Sequence, residues 1–227
     1  MKRLKWMRVT SAVTIRDMAK ELQKAAFREG LGSGFLLDRA RDRSLDARFI
    51  ERLEFVESFL DPFGKNQVVE RVAYKEVGFT LSKGFPELEL RMPPRGLTAF
   101  MNGLMKASGF SMSIEGYSVD LLRWAKGIER SLGVKAAIRG ALASDIELEG
   151  GATARIAVVA PKDARAGLTE VLMGKQYKLR SLQIEYSWNS SLQRVVLSSD
   201  CAIQYSERLT EDELDAIRDA LEEIVVH

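Results

Sequence analysis

The chain has 227 residues, of which 46% are hydrophobic and 29% are charged, with a formal net charge of +2. This composition is typical of a globular protein and argues against a disordered chain. No apolar run approaches the roughly 20 residues that a membrane-spanning helix needs, and the basic N-terminus lacks the apolar stretch of a secretory signal. A single cysteine, Cys201, excludes an internal disulfide framework. We therefore expect a soluble cytoplasmic protein that has no membrane partner.

Charge is distributed unevenly along the chain. Residues 1–48 carry twelve Lys/Arg and six Asp/Glu, a net charge of +6, whereas residues 207–227 carry two Arg and eight Asp/Glu, a net charge of −6. The two ends could attract each other, within one chain or between chains, or they could face different partners. The charge balance alone does not choose between these arrangements.

The N-terminal half is predicted to contain a strand, two helices, a hairpin and a third helix, in that order. Thr14 followed by Asp17 resembles a capping box, and the apolar residues after it recur on one helix face. Residues 46–60 also place apolar residues at helical spacing, which predicts the second helix. Alternation over residues 77–92 predicts the hairpin, and residues 95–108 have the pattern of the third helix.

The C-terminal half is predicted to alternate between helices and antiparallel hairpins. Its elements are a strand, a helix from Ser118 to Gly133, a hairpin over 145–160, a helix near 163–173, a hairpin from Leu182 to Tyr205 and a last helix. Thr210 with Glu213 is a capping box at the start of the last helix. Every hairpin has one polar face, as antiparallel strands do when they are covered on one side.

The register of the hairpin around Gly150-Gly151 follows from its pattern. A two-residue loop would place Ile146 opposite Arg155, whereas a three-residue loop over 150–152 would place Ile146 opposite Ile156. The second register keeps one face apolar, so it is the one we expect.

These elements predict an α+β protein in which antiparallel β-hairpins are backed by about six helices. Residues 110–188 have the chain order βαββαβ of a ferredoxin-like unit. Both halves also begin with strand–helix and end with hairpin–helix. We therefore expect an N-terminal half over residues 1–109 and a C-terminal half over 110–227, either as two related halves or as one continuous domain.

Absent residue types narrow the chemistry. The only histidine is His227 at the C-terminus, which argues against a Ser-His-Asp or Cys-His site. One His and one Cys are too few for a structural zinc or iron–sulfur site. Neither a P-loop nor a Ser-x-x-Lys pair occurs in the sequence. We therefore expect no catalytic residue of these kinds, no metal and no cofactor.

Carboxylates offer the remaining route to catalysis, because clusters of them can hold Mg²⁺. The clustered acids are Asp145, Glu147 and Glu149 on one predicted strand and Glu87 and Glu89 on another. Metal-dependent nucleases often combine an acidic residue with a Glu-x-Lys motif. Asp61 together with Glu89-Leu90-Arg91 resembles this combination, but Arg91 stands in place of the lysine. The acids alternate with core residues, however, as they do on a solvated face. A carboxylate metal-dependent nuclease is therefore the least favoured of the three functions that we consider.

Two basic segments are candidates for binding RNA or single-stranded DNA, since guanidinium groups fit phosphates and an aromatic side chain can stack on a base. The candidate residues are Lys2, Arg3, Lys5, Trp6, Arg8, Arg39, Arg41, Arg43 and Arg48. The first segment could instead be an edge strand defended by lysines, with Trp6 packed inward. In the second, Asp38, Asp42 and Asp46 could pair with the arginines on a solvated face and cancel their field.

The last helix is the candidate surface for a protein partner. Its apolar stripe could pack on the chain's own sheet, while its opposite face is strongly acidic. The candidate partner-binding residues are Glu211, Asp212, Asp215, Asp219 and Glu222.

The glycine-rich segment 30–35 and Cys201 can each be explained by a structural role instead of a functional one. The glycine-rich segment 30–35 could form an anion-binding nest, or it could end a helix and continue as a loop. Cys201 alternates with Ile203 and Tyr205 in a predicted strand, which predicts a buried, unreactive thiol.

These patterns favour a non-enzymatic binding or assembly protein that acts through a protein–protein surface, with a homo-oligomer as one form. The alternative is an RNA- or single-stranded-DNA-binding protein of ferredoxin-like type. The near-neutral net charge and the lack of an aromatic-rich RNA-recognition strand count against that alternative.

Overall fold

The structure is a computed structural model that describes residues 1–225, so His227 lies outside the described residues. Its strands are β1 (Lys2–Ser11), β2 (Ser33–Ala40), β3 (Ser44–Leu60), β4 (Asn66–Ser82), β5 (Leu88–Arg91), β6 (Met112–Gly116), β7 (Ala137–Glu147), β8 (Thr153–Val159), β9 (Lys178–Trp188), β10 (Ser191–Ser198) and β11 (Ala202–Tyr205). Its helices are α1 (Ile15–Lys24), α2 (Thr98–Ala107), α3 (Leu121–Leu132), α4 (Arg165–Leu172) and α5 (Glu211–Val225).

The predicted fold, with about six helices behind hairpins, is wrong because the protein is mostly antiparallel sheet. Strands form 46% of it and helices 26%, and residues 1–225 contain five α-helices. The second predicted helix, residues 46–60, is instead most of β3. Apolar residues at 49, 53, 56 and 60 fit the helical period, but Phe49, Leu53, Phe55 and Phe59 fit the period of a strand equally well. The segment is a strand because it pairs along its whole length with β4, which follows it in the sequence.

The chain forms two compact units. The inserted unit spans Val9–Ile114, and the terminal unit combines Met1–Arg8 with the chain from Glu115 onward. Each unit has its own buried core, as described below.

The inserted unit is built on the antiparallel order β2-β3-β4-β5. Helix α1 begins as predicted, since the Thr14 side chain accepts a hydrogen bond from the Asp17 N–H at 3.1 Å. The core is aromatic: the rings of Phe35 and Phe49 lie 5.1 Å apart, and those of Phe79 and Phe100, from β4 and α2, are separated by the same distance. The core therefore lies on the face of the sheet to which Phe35, Phe49 and Phe79 point, where the Phe100 ring of α2 packs against the last two.

The terminal unit is built on the order β1-β11-β10-β9-β7-β8. Its helices α3 and α5 pack together, and the Trp124 indole N–H donates to the Ile217 carbonyl at 3.0 Å. The predicted capping box of α5 is present, because Thr210 N–H donates to the Glu213 carboxylate at 3.0 Å and Glu213 N–H donates back to the Thr210 hydroxyl at 3.3 Å.

The ferredoxin-like expectation for residues 110–188 is also wrong. The chain order β6-α3-β7-β8-α4-β9 matches, but the pairing does not. Strand β7 lies between β8 and β9, while β6 pairs with β1. A shared chain order thus leads to a different sheet, because β6 pairs with β1 and β9 pairs with β10, both of which lie outside residues 110–188.

The predicted register around Gly150-Gly151 is wrong as well. Ile146 pairs with Ala154, and the five-residue loop between β7 and β8 is closed by a hydrogen bond from Leu148 N–H to the Ala152 carbonyl at 2.9 Å. A β-bulge shifts the register just before Ile146, where Asp145 has a φ of 54°. The bulge inserts a residue that strict alternation cannot anticipate.

Candidate protein-binding arm

The hairpin of β3 and β4 extends beyond the strands beside it. The last partner of β3 in β2 is Ser33, opposite Glu51, and β5 pairs with β4 only from Gly78 to Leu81. Among residues 1–225, no other strand pairs with the hairpin over Arg52–Tyr74, which we call the arm. Its nine residue pairs correspond to a ribbon about 30 Å long at roughly 3.4 Å per residue.

The tip of the arm is closed by a turn that the local sequence specifies. Asp61, Pro62 and Gly64 occupy positions that favour these residues in a type I turn. The Asp61 carboxylate accepts hydrogen bonds from the N–H groups of Phe63 and Lys65, both at 2.9 Å. The bond from Lys65 is the main cause that lowers the pKa of the Asp61 carboxyl from its usual value. The charged carboxylate therefore helps to hold the turn.

Large apolar side chains cover the arm and are exposed. They are Phe55, Val56, Phe59, Leu60, Phe63, Val68, Val69, Val72 and Tyr74, with exposed fractions from 40% to 88%. The highest value belongs to Phe63 at the tip. Contiguous exposed apolar surface of this kind marks interaction sites in folded proteins.

The register divides the arm into two faces, since direct partners in an antiparallel pair point to the same side. The core-side face continues the face that is buried in the core, and it carries Leu53, Phe55, Glu57, Phe59, Gln67, Val69, Arg71 and Ala73. The outer face carries Arg52, Glu54, Val56, Ser58, Leu60, Asn66, Val68, Glu70, Val72 and Tyr74. Both faces are rich in apolar side chains.

The arm has almost no net charge. It contains three Lys/Arg and four Asp/Glu, which gives −1. On the core-side face Arg71 lies 3.8 Å from Glu57, and on the outer face Arg52 pairs with Glu54. Glu70 has no ion-pair partner in the described part of the chain. The arm is thus apolar rather than strongly charged.

The first predicted nucleic-acid segment lies on β1 and is divided between two faces. Lys2 and Arg8 point to one side of the strand, while Arg3 and Lys5 point to the other. Lys5 pairs with Asp200, and Arg8 donates to the Val225 carbonyl at 3.2 Å and lies 5.1 Å above the Tyr117 ring. Trp6 is fully buried, with its ring 6.1 Å from that of Trp124. Its indole has no exposed surface on which a base could stack.

The second predicted segment spans the end of β2, the turn after it and the start of β3. Arg48 binds the Asp38 carboxylate through two nitrogens at 2.9 and 3.1 Å, which raises the pKa of Arg48. Arg39, Arg41 and Arg43 are exposed and have no ion-pair partner within the described residues 1–225. These three side chains are the part of the segment that remains accessible to an anion.

The acidic residues of α5 remain on the surface. The predicted partner-binding residues Glu211, Asp212, Asp215, Asp219 and Glu222 are all exposed, and Asp215 pairs with Arg218. The apolar stripe of the helix is buried, because Ile217 and its neighbours pack within the terminal unit against α3. Only the acidic face of α5 is therefore available to a partner.

The structure does not assemble the predicted carboxylate sites. Asp61 is at the tip of the arm, whereas Glu89 pairs with Thr80 near its base. Asp145 instead pairs with Arg180 at 2.9 Å and Lys178 at 3.3 Å. Within residues 1–225, no group of three or more His, Cys, Asp or Glu side chains is placed to hold a metal ion.

Cys201 and the glycine-rich segment have structural roles. Cys201 is fully buried, and burial raises the pKa of its thiol to about 12. It occupies the turn before β11, with a φ of 56°, rather than a continuous return strand. Gly34 lies in β2, where a Cβ atom would come within 2.5 Å of Phe27 Cα, so the close approach of these backbones requires a glycine.

Protein families and curated proteins provide no relative from which a function could be inferred. The chain matches no protein-family model and no curated protein. No helix in residues 1–225 is long and apolar enough to cross a membrane. The function must therefore be argued from the geometry of the molecule.

The sequence prediction missed the arm because it assigned residues 46–60 to a helix. A usable signal was present in the two runs rich in Val, Phe and Tyr on either side of Asp61-Pro62-Phe63-Gly64-Lys65. Read together as a hairpin, these runs place the apolar residues on a ribbon instead of a helix face.

Proposed function

We propose that the protein is a binding or assembly protein whose partner-binding element is the arm. The observation that carries this proposal is the set of nine exposed apolar residues on a ribbon that pairs with no further strand among residues 1–225. A two-stranded ribbon alone is only marginally stable in water, and exposed strand edges are templates for pairing with another chain. A protein partner would cover this apolar surface and could also pair with the edges.

The composition of the arm favours a protein over a nucleic acid or a lipid surface. Nucleic-acid binding depends on neutralising phosphates with Lys and Arg, but the arm has a net charge of −1. The same charge gives no attraction to an anionic membrane. Exposed Phe and Tyr side chains are instead enriched at protein interfaces, where they form the residues that contribute most to binding.

Photo-crosslinking in living cells tests this proposal. A benzoyl-phenylalanine replaces Phe63 at the tip of the arm, and in a separate variant it replaces Phe110, which is also exposed but lies outside the arm. We expect irradiation of the Phe63 variant to give an adduct with a polypeptide of discrete mass. The adduct should disappear when Phe55→Glu is added, because that change places a charge on the arm.

The Phe110 variant is the matched control, since it carries the same reactive group at a comparable exposure. Equal polypeptide adducts from both positions would overturn the proposal. So would an arm-specific adduct with nucleic acid or lipid in place of a polypeptide.

A further inference from the structure

We infer that the core-side face of the arm packs against the same face in a second copy of this chain, which gives a two-fold symmetric dimer. The inference rests on the proposed function, because it names the partner of that same surface. Four properties of the arm carry it, namely continuity with the core, charge, area and symmetry.

The core-side face continues the surface that the inserted unit buries in its own core. At the base of the hairpin this face carries Phe49, Val77 and Phe79, all at most 2% exposed. Further along, the same face carries Phe55 and Phe59, about half exposed at 48% and 53%. A sheet face of this kind is normally covered by a second layer. The arm of a second copy supplies such a layer, at the roughly 10 Å spacing of packed sheets.

Charge distinguishes the two faces of the arm. The charged residues of the core-side face are Glu57 and Arg71, which neutralise each other. The outer face carries an unbalanced charge from Glu70 in addition to its Arg52–Glu54 pair. When identical faces meet, any unbalanced charge is doubled and repels. The core-side face therefore suits association with itself better than the outer face does.

The exposed area is of the right size for a dimer. Taking roughly 200 Å² for each aromatic side chain, Phe55 and Phe59 of this face expose on the order of 200 Å², and Phe63 at the adjoining tip brings the exposed area to about 400 Å². This is about half of the roughly 800 Å² that each partner buries in a standard interface. The remaining apolar residues of the face and the backbone of the ribbon can contribute the rest.

Two-fold symmetry limits the assembly to two chains. A two-fold axis uses the same patch on both copies, so the dimer leaves no second arm free to recruit further copies. Glu57 and Arg71 can then pair reciprocally between copies without a change in net charge. The arrangement is an assembly of two chains rather than an open filament.

Sedimentation velocity of the full chain, between about 1 and 100 μM, tests the inference. We expect the wild type to approach twice its mass of 25.4 kDa within this range. Phe55→Glu should raise the dissociation constant by more than about tenfold, as for loss of a central interface residue. Val56→Glu is the matched control, because the adjacent residue is also apolar and exposed but lies on the outer face. It should leave the dimer in place.

Charge reversal gives a second, independent test. Glu57→Arg and Arg71→Glu each make the core-side face carry two like charges, so each variant alone should be monomeric. An equimolar mixture of the two should recover the dimer mass, since the faces are then complementary. Recovery in the mixture cannot come from misfolding of either variant.

The outcomes separate this inference from the proposed function. A dimer that survives Phe55→Glu, or one that Val56→Glu disrupts equally, overturns the pairing of core-side faces. A monomeric wild type at 100 μM overturns it too, and leaves the proposed function standing if Phe63 still crosslinks to a different polypeptide. A monomer without an arm-specific polypeptide adduct overturns both.

Discussion

The two ends of the β3–β4 hairpin are parts of the same pair of strands, yet their surroundings are opposite. At the base, the Phe79 side chain is fully buried among the rings of Phe35 and Phe100. In the arm, comparable aromatic side chains are exposed, and Phe63 reaches 88%. Both ends carry apolar residues, but only the base uses them to stabilise the chain's own core. The apolar residues of the arm therefore have to be explained by a contact outside that core.

The largest expected effect comes from truncating one aromatic residue at each end. Phe79→Ala removes a buried ring and should lower the free energy of unfolding by about 3–5 kcal/mol. Phe55→Ala removes a ring that is about half exposed, and it should cost the monomer less than about 1 kcal/mol. Urea denaturation at a concentration low enough to keep the protein monomeric measures both.

Equal losses for the two variants would contradict this difference between base and arm, since they would show that the arm contributes to the core. A larger loss for Phe55→Ala at high protein concentration than at low concentration would show that Phe55 contacts a partner. That dependence is expected when a side chain acts through a partner and not within its own chain.

Two glutamates, one buried in the terminal unit and one exposed on the arm, differ in the same way as the aromatic residues. Glu185 on β9 is 6% exposed and accepts hydrogen bonds from Arg139 and Arg194, both at 2.8 Å. In the arm, Glu57 forms only the exposed 3.8 Å pair with Arg71. Glu185→Gln should cost about 2 kcal/mol, as for hydrogen bonds to a charged group, whereas Glu57→Gln should cost less than about 0.5 kcal/mol.

The pH dependence checks the Glu185 prediction. The hydrogen bonds from Arg194 and then Arg139 lower the pKa of Glu185 below its ordinary value of 4.5. Because the folded pKa is lowered, the stabilisation is fully present above the ordinary value and is lost as the pH falls through the lowered value. The difference in thermal unfolding between wild type and Glu185→Gln should shrink as the pH falls from 7 to 3. A constant difference over this range would contradict the assignment.

A more local effect is expected at the turn of the arm. Asp61→Ala removes the acceptor for the N–H groups of Phe63 and Lys65, so amide hydrogen exchange at the tip should become about tenfold faster. Exchange in the core strands should not change, because the turn lies outside the core. Asp61→Asn keeps a side-chain oxygen and is the matched control. Faster exchange throughout the inserted unit would show that the arm and the base unfold together.

Sequence reasoning was reliable where the determinant is local. The helix cap at Thr14 and the capping box at Thr210 were predicted and are confirmed, because a cap is decided by residues three positions apart. The hairpin that joins β4 to β5 is confirmed for the same reason. Segment 46–60 failed because its pattern fits a helix and a strand equally, and pairing with a segment beyond the turn decides the outcome.

The candidate site was harder to predict than the fold. The exposure of Phe55 depends on where the neighbouring strands stop, namely at Ser33 in β2 and at Gly78, the last partner of β5. Nothing within the arm encodes those limits. The basic residues at the N-terminus were predicted to form one surface, but their alternation along β1 places them on two faces. Residues can therefore be assigned to one surface only when the register of the sheet is known.

The weakest effect is expected from the exposed arginines at the end of β2 and in the turn that follows it. Arg39, Arg41 and Arg43 could contact about three phosphates, and binding of a single strand would then fall with a salt slope of only about −2. Asp42 lies within the same turn and weakens the field further. We therefore expect no retention of a single-stranded oligonucleotide above about 100 mM salt, where attraction between exposed charges is screened within roughly 10 Å. Fluorescence anisotropy of wild type and a triple Arg→Gln variant measures this. If wild type binds at that salt concentration and the triple variant does not, this turn is a nucleic-acid surface, and the arm is not the only exposed feature of the inserted unit that calls for a partner.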